Sequence, residues 1–222
     1  MEFIVAVDGP AGSGKGTITK IVGEKENLIY IDTGALYRCV TLCIIRKNVS
    51  LEETEKIKDI LENINIEFIK EGEQKQVYLN GENVSRKIRE NDVNKLVSQV
   101  SHIVIVRNAI TDLSRRIAKG KEVIMEGRDI GTNVFPNADV KIYLDATPEE
   151  RAKRRLKQNE EKGIKIPFEE IVENIKFRDN NDKTSSVAPL KQAEDAIYID
   201  SSNMTIEEVA KKVIEIINQK RK

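Results

Sequence analysis

The sequence predicts an α/β fold: a five-stranded, mostly parallel sheet with helices on both faces, carrying a small inserted antiparallel β-subdomain and a lid. Three observations carry this. Short apolar runs at 2–8, 28–31, 122–126, 140–145 and 196–200 alternate with segments of helical spacing. The first run passes straight into a glycine-rich turn and then a helix. Between 63 and 85 the apolar spacing changes to alternation around Asn80-Gly81, a hairpin signal between helices.

Phe3-Ile4-Val5-Ala6-Val7 is apolar and rich in β-branched residues, as a strand buried on both faces should be. Gly9-Pro10-Ala11-Gly12-Ser13-Gly14-Lys15-Gly16-Thr17 follows, and Ile18-Thr19-Lys20-Ile21-Val22 returns to helical spacing. In that context glycines let the backbone wrap an anion, with successive N–H groups and the positive helix end aimed at it. Lys15 adds a mobile point charge for β- and γ-phosphates, which makes the fold one of P-loop type. Gly9, Gly14 and Lys15 match G-x-x-x-x-G-K-[ST], but position 16 is glycine and the hydroxyl arrives at Thr17. A direct side-chain bond from this loop to Mg²⁺ is weakened accordingly. The competing reading is a glycine-rich turn without a ligand.

Leu28-Ile29-Tyr30-Ile31 is the second strand and ends in Asp32-Thr33-Gly34, a helix-start signal. The helix over 35–46 aligns Leu36, Val40, Cys43 and Ile44. Thr33, Tyr37 and Arg38 stand near its start, at the sheet edge where open α/β folds bind ligands. A plain N-cap role for Thr33 competes with a functional one. Ser50-Leu51-Glu52-Glu53 has capping-box spacing and opens a helix through Leu61. Ile64, Ile66, Phe68, Val77 and Leu79 then form the alternating inserted sheet, and helices are predicted over 91–106 and 107–119, with Gly120 ending the second.

Glu122-Val123-Ile124-Met125-Glu126 runs into Gly127-Arg128-Asp129-Ile130-Gly131-Thr132. Charged residues between glycines, just past a buried strand, suit a functional loop better than core packing. An exposed Arg–Asp turn pair is the alternative. After the strand at 140–145, Thr147-Pro148-Glu149-Glu150 combines a cap, a first-turn proline and a third-position glutamate. The helix that follows carries Arg151, Lys153, Arg154, Arg155 and Lys157; part of that charge pairs with Glu149 and Glu150, and part can reach transferring phosphates. The polar stretch 159–166 reads as a mobile connection. A helix over 167–177 leads to a polar loop, Arg178-Asp179-Asn180-Asn181-Asp182. The last strand precedes a capping box at Thr205-Ile206-Glu207-Glu208, an amphipathic helix to 218 and a solvated tail, Lys220-Arg221-Lys222.

The 222 residues fit one α/β domain with insertions: a core of 1–62, 98–150 and 167–222, an acceptor-binding subdomain at 63–97 and a lid at 151–166. Lys+Arg and Asp+Glu are both 37, so there is no basic excess for a nucleic-acid partner. Cys39 and Cys43 lie one helical turn apart and read as reduced packing thiols. With His102 alone, a multi-histidine metal centre is excluded. The sequence has no membrane-length apolar run, signal-peptide pattern or long apolar heptad, so the expectation is a cytoplasmic monomer with no membrane partner.

Taken together these motifs resemble the bacterial cytidylate kinases, P-loop nucleoside monophosphate kinases, over essentially the full length. The resemblance rests on Gly9 to Thr17, Asp32-Thr33-Gly34-Ala35-Leu36-Tyr37-Arg38, Ser98-Gln99-Val100, Glu126-Gly127-Arg128-Asp129-Ile130-Gly131-Thr132, Arg178 to Asp182 and Val187-Ala188-Pro189-Leu190. It implies transfer of the γ-phosphoryl of ATP to CMP or dCMP, with Mg²⁺ carried by ATP and no direct metal ligand. It also implies catalytic roles for Lys15, Arg128 and Arg154. Gly9, Pro10, Ala11, Gly12, Ser13, Gly14, Lys15, Gly16 and Thr17 would hold ATP, together with Arg151 and Arg155 of the lid. Thr33, Arg38, Ser98, Arg107, Arg128, Asp129, Arg178 and Asp182 would bind the acceptor. Two departures stand out. The family often has aspartate where this chain has Glu126, and arginine near Ser185.

Physical chemistry supports that reading. Cytosine presents an exocyclic amino donor and an ionised carboxylate only accepts, so Asp129 suits cytosine and opposes uracil. Three alternatives stay open on the residues alone: a kinase for UMP, dTMP or a non-nucleotide alcohol, a nucleotide-dependent switch, and a nucleic-acid-stimulated ATPase. No guanine-reading Asn-Lys-x-Asp is present.

Overall fold

The computed structural model describes residues 2–72, 74–161 and 163–221. In chain order the elements are β1 (Phe3–Asp8), α1 (Lys15–Lys25), β2 (Ile29–Asp32), α2 (Thr33–Arg46), α3 (Thr54–Glu62), β3 (Ile66–Glu71), β4 (Gln74–Leu79), β5 (Glu82–Asn83), a 3₁₀ turn (Lys87–Arg89), α4 (Asn91–Ser101) and α5 (Val104–Ala118). They continue with β6 (Glu122–Gly127), a π-helical turn (Ile130–Val134), β7 (Val140–Asp145), α6 (Pro148–Glu160), α7 (Phe168–Thr184), β8 (Ile197–Asp200) and α8 (Ile206–Lys220). The chain forms two compact units, Met1–Ile31 with Ala118–Lys222, and Asp32–Ile117.

The first unit is built on the five-stranded sheet, in the order β2-β6-β1-β7-β8. β1 pairs in parallel with β6 from Phe3 opposite Glu122 to Asp8 opposite Gly127, and with β7 from Val5 opposite Val140 to Asp8 opposite Tyr143. β8 adds in parallel to β7. Val5, Val7, Ile124, Ile142, Leu144 and Ile199 are buried, and Ile18 and Val22 of α1 with Val209, Val213 and Ile217 of α8 join them. This apolar layering fixes the register. It brings the C-terminal ends of β1 and β6 to the same edge of the sheet, where ligands bind in such folds. α6 and α7 share a smaller core of Ala152, Ile171 and Ile175.

The second unit packs helices α2 to α5 around an antiparallel sheet ordered β3-β4-β5. Leu36, Val40, Ile44, Ile57, Val77, Leu79, Val93, Val100 and Ile110 lie in one buried cluster, so the alternating face of the inserted sheet has a core to cover. Between β4 and β5, Asn80 (φ 50°) and Gly81 (φ 82°) both take positive φ, as a type I′ hairpin turn requires.

Several element ends shift by one or two residues from the sequence expectation, among them α8, which runs on through Lys220, and five departures have a visible cause or consequence. α2 begins at Thr33, and its cap is Asp32, whose carboxylate accepts from the Ala35 N–H at 3.1 Å. At Ser50, Glu53 reaches back to the Ser50 N–H (2.9 Å), but the helix starts only at Thr54; the pair closes a preceding turn instead of forming a full capping box. The predicted helix over 91–106 breaks at His102 and Ile103, between α4 and α5. α6 continues through Glu160, into the expected connection, of which Lys162 is outside the described residues. The expected polar loop at Arg178–Asp182 is helical, because α7 runs unbroken to Thr184. Its inward positions Ile171, Ile175 and Asp179 keep a strict four-residue spacing, and the last of them is a carboxylate whose partner lies on α6. A charged inward position hides the period from a hydrophobicity pattern. Thr205 and Glu208 form the expected capping box, and Lys222 of the tail is outside the described residues. Among the described residues no helix is long and apolar enough to cross a membrane.

Candidate active site

The phosphate loop occupies the turn between β1 and α1. Gly9 lies so close to β7 that an added Cβ would sit 2.0 Å from the Leu144 carbonyl oxygen, so no other residue fits there. Gly14, at φ 94°, turns the chain into α1, and no side chain caps the helix. The first N–H groups of α1 are therefore available to an anion.

The outward carbonyls of the loop are held from α6. Arg151 Nη1 donates to Ala11 O (3.1 Å), and Arg154 Nη1 donates to Ser13 O (3.1 Å). Arg151 is buried; its guanidinium also donates to Ala146 O and clasps both carboxylate oxygens of Asp179 at 2.8 and 2.5 Å. Arg154 continues to Ser201 O (2.6 Å), and Ser201 Oγ donates to Ser13 O and Asp145 O. Two of the three arginines expected to touch ATP thus bond the backbone of the loop, whereas Arg155 is exposed. Thr17 is also exposed.

Lys15 lies buried with its Nζ 2.7 Å from Pro10 O and 3.4 Å from Ser13 Oγ. Burial, reinforced by the Arg128 guanidinium, pushes its ammonium down to about 7, against the pull of Glu126, Asp8 and Asp182. The Glu126 carboxylate accepts from the Tyr30 hydroxyl, and its Oε1 lies 3.0 Å from where a Cβ on Gly16 would stand. The space that a serine or threonine would fill at position 16 is partly taken by this carboxylate.

Arg128 Nε donates to Asp182 Oδ2 at 2.9 Å. Burial lowers the affinity of Arg178 for its proton; Arg128 and Arg155 push the same way, and Asp182 opposes. Arg128, Arg155, Arg178 and Asp182, drawn from the β6 loop, α6 and α7, therefore act on one another as a cluster with more positive than negative charge. Asp129 is buried and accepts from Asn133 Nδ2 at 3.0 Å. Asp8, the last residue of β1, accepts backbone N–H bonds from Ile130 and Gly131. The Leu190 N–H donates to Asp182 O, which folds the Val187-Ala188-Pro189-Leu190 motif back onto α7 with Ala188 at φ 51°.

The remaining candidates belong to the second unit. Thr33 is buried as the first residue of α2. Arg38 Nη1 donates to Ile88 O (2.9 Å) and Asn94 Oδ1 (2.6 Å). Arg107 is buried, donates to Ser101 O (3.0 Å) and stacks its guanidinium 5.6 Å from the centre of the Tyr37 ring. Ser98, half-buried on α4, accepts at its carbonyl from Ser101 Oγ.

Sequence reading missed Asp8, Tyr30, Asp179 and Ser201, and saw Glu126 only as a departure from a motif. Asp8 carried one usable signal: a carboxylate ending a fully buried strand must be paired with something.

Comparison with known proteins bears on the family and the fold. The sequence profile of the cytidylate kinases matches residues 5–219. The cytidylate kinase of Caldicellulosiruptor saccharolyticus is 48% identical over 212 residues, covering 96% of this chain and 94% of that protein. The cytidylate kinase of Bacillus subtilis is 42% identical over 219 residues, covering 99% and 98%. Among solved structures, an uncharacterised protein from Eubacterium ventriosum superposes with a TM-score of 0.53 at 10% identity, covering 98% of this chain and 99% of its own. The shikimate kinase of Bacteroides thetaiotaomicron superposes at 0.50 and 12%, with coverage of 98% and 99%. These two likenesses concern the fold. With the profile spanning nearly the whole chain and close relatives matched end to end, the chain belongs to the cytidylate kinase family.

Proposed function

We propose that this chain transfers the γ-phosphoryl group of ATP to the 5′-phosphate of CMP or dCMP, with the residues described above in the following roles. The observation that carries the reading beyond family membership is the phosphate loop itself: α1 opens on N–H groups that no side chain caps, the Lys15 ammonium lies buried beside them, and Arg128 of the β6 loop is close enough to act on it. Free N–H groups at a helix start, with a lysine beside them, suit an anion with several negative oxygens.

An acceptor phosphate oxygen attacks the γ-phosphorus, the bond to the β,γ-bridging oxygen breaks, and ADP leaves. Such a step needs in-line positioning and neutralised charge more than covalent help. The α1 N–H groups and Lys15 hold the β- and γ-phosphates; Arg38 and Arg128 hold the acceptor phosphate, and Arg178 lies with Asp182 toward the pentose. Arg151 and Arg154 act on ATP through the loop, because their donors are committed to the carbonyls of Ala11, Ser13 and Ser201. Arg155 is the α6 arginine exposed to meet phosphate. Asp129 reads the cytosine amino group, with Ser98 and Arg107 on the base and Asp182 on the pentose. Thr33 also binds the acceptor, and closure of the insert at 63–97, with the part of the lid that follows α6, would exclude water.

The metal would come in with the nucleotide, and the residues of this chain that bear on it are Gly16 and Glu126. Among the described residues no group of three or more His, Cys, Asp or Glu side chains could hold an ion, and the carboxylate beside Gly16 is that of Glu126. Mg²⁺ would be held by ATP oxygens and waters, with Glu126 the residue placed to bond those waters. When bound it supplies neutralising charge to the β- and γ-oxygens.

Asp129→Ala tests the base-reading role. The expected result is a rise in KM for CMP of about tenfold or more with KM for ATP nearly unchanged. Equal losses for both substrates would refute it.

A further inference from the structure

We propose that Asp8 is a positioning residue for the acceptor: its carboxylate locks the turn carrying Arg128 and Asp129 to the strand from which the phosphate loop springs, and so fixes the acceptor against the transferring phosphoryl group. This rests on the reading of Arg128 and Asp129 as acceptor-binding residues.

Asp8 ends β1 directly before Gly9, and in register it stands opposite Gly127, the last residue of β6. Asp8 Oδ1 accepts from the Ile130 N–H at 2.8 Å, and Oδ2 accepts from the Gly131 N–H at 2.7 Å. These two donors open the π-helical turn at Ile130–Val134. That turn's own bonds run from Asn133 and Val134 to Asp129 O and from Phe135 to Ile130 O, so Ile130 and Gly131 sit in the positions whose N–H groups have no partner within a helix. Both residues are buried, beyond the reach of water. A helical turn has thus been capped from a different strand, across 122 residues of sequence.

No neutral side chain of the same shape can do this. Asparagine has one acceptor oxygen, and its amide would aim a donor at the second N–H. Space is also closed around the contact: a Cβ on Gly131 would meet the Lys141 side chain at 3.1 Å and Asp8 Oδ2 at 3.4 Å. The groups that act on Asp8 are Lys15 in the phosphate loop, Asp129 in the turn and Tyr143 on β7, while the Lys141 ammonium is turned to Pro136 O and Asp195. Burial pushes its carboxyl up to about 6, with the Gly131 and Ile130 N–H bonds pulling down, so it is ionised at neutral pH.

The test compares Asp8→Asn with Asp129→Ala in the full-length protein. Asp8→Asn is expected to raise KM for CMP about tenfold or more and to narrow the preference for CMP over UMP, with KM for ATP changing less than about threefold. Asp8→Glu, which keeps both acceptor oxygens, should recover part of the CMP affinity. In ¹H–¹⁵N spectra of the unaltered protein, the amides of Ile130 and Gly131 should shift together between about pH 5 and 7. The proposal is overturned if Asp8→Asn leaves KM for CMP and the CMP-to-UMP ratio within about twofold, or raises both substrate KM values alike. Should that variant not fold, static amides at both positions across the same pH range overturn it. An Asp129→Ala variant with undiminished CMP affinity would instead sink the base-reading assignment, and the amide titration would still decide the contact.

Discussion

Removing the Asp179 carboxylate should expose how much of the phosphate loop is held from outside. In the folded protein the Arg151 guanidinium is buried and bonded at both nitrogen tips to Asp179. Asp179→Ala leaves that cation without its counter-charge, and stranding one member of a buried pair costs about 3–5 kcal/mol. At about 2–4 °C per kcal/mol for a chain of this length, the unfolding midpoint should fall by about 6–20 °C. The double replacement Arg151→Met with Asp179→Leu removes both charges and should regain most of that loss, since apolar groups of similar volume replace a buried pair at little net cost. It still deprives Ala11 O of its donor, so KM for ATP should stay raised. Calorimetric melts of the three proteins, with ATP kinetics beside them, read both effects. A single variant that melts within about 2 °C of the parent would refute the reasoning, as would a double variant no more stable than the single one.

Lys15→Met should cut turnover by about 10²-fold or more while leaving circular dichroism unchanged, because the lysine neutralises phosphate charge and does not build the core. Lys15 also predicts a proton linkage. Its ammonium, held down to about 7 in the free protein, rises when triphosphate charge arrives. Near pH 7.5, then, ATP binding should take up a fraction of a proton, and the Lys15 contribution should vanish at low pH, where the group is already charged. Titration calorimetry in buffers of differing ionisation enthalpy measures it, and an identical proton count in Lys15→Met would contradict the assignment. Gly16→Ser completes the phosphate-loop motif, yet it should lower kcat, because its side chain meets Glu126 Oε1 at 3.0 Å. Glu126→Asp in the same protein should restore part of the rate, and a faster Gly16→Ser enzyme would argue against the steric account.

The strands of the main sheet were legible because β1, β6 and β7 are short apolar runs buried almost throughout and the edge strands β2 and β8 each keep a short apolar run with one buried isoleucine, and the inserted sheet because its alternation has one buried face. The phosphate loop was legible from spacing, since glycine where a Cβ would strike Leu144 leaves a mark in the sequence. What stayed hidden was pairing at long range. Asp179 looked like part of a polar loop because its inward-facing partner, Arg151, comes from another helix. Arg151 and Arg154 looked like exposed lid charges, although backbone carbonyls of the loop take their donors. Asp8 and Tyr30 left little trace, because a polar side chain facing another strand has no local period. Helix ends shifted where a side chain from one residue earlier took the cap, as Asp32 does for α2.

The most direct measurement is steady-state phosphorylation by ATP and Mg²⁺ of a panel of acceptors: CMP, dCMP, UMP, dTMP, AMP and shikimate. CMP and dCMP should be converted to diphosphates with kcat/KM at least about tenfold above every other acceptor, as a carboxylate reading the cytosine amino group requires. A preference for UMP, or turnover of shikimate with the nucleotides inert, would contradict the assignment of this site.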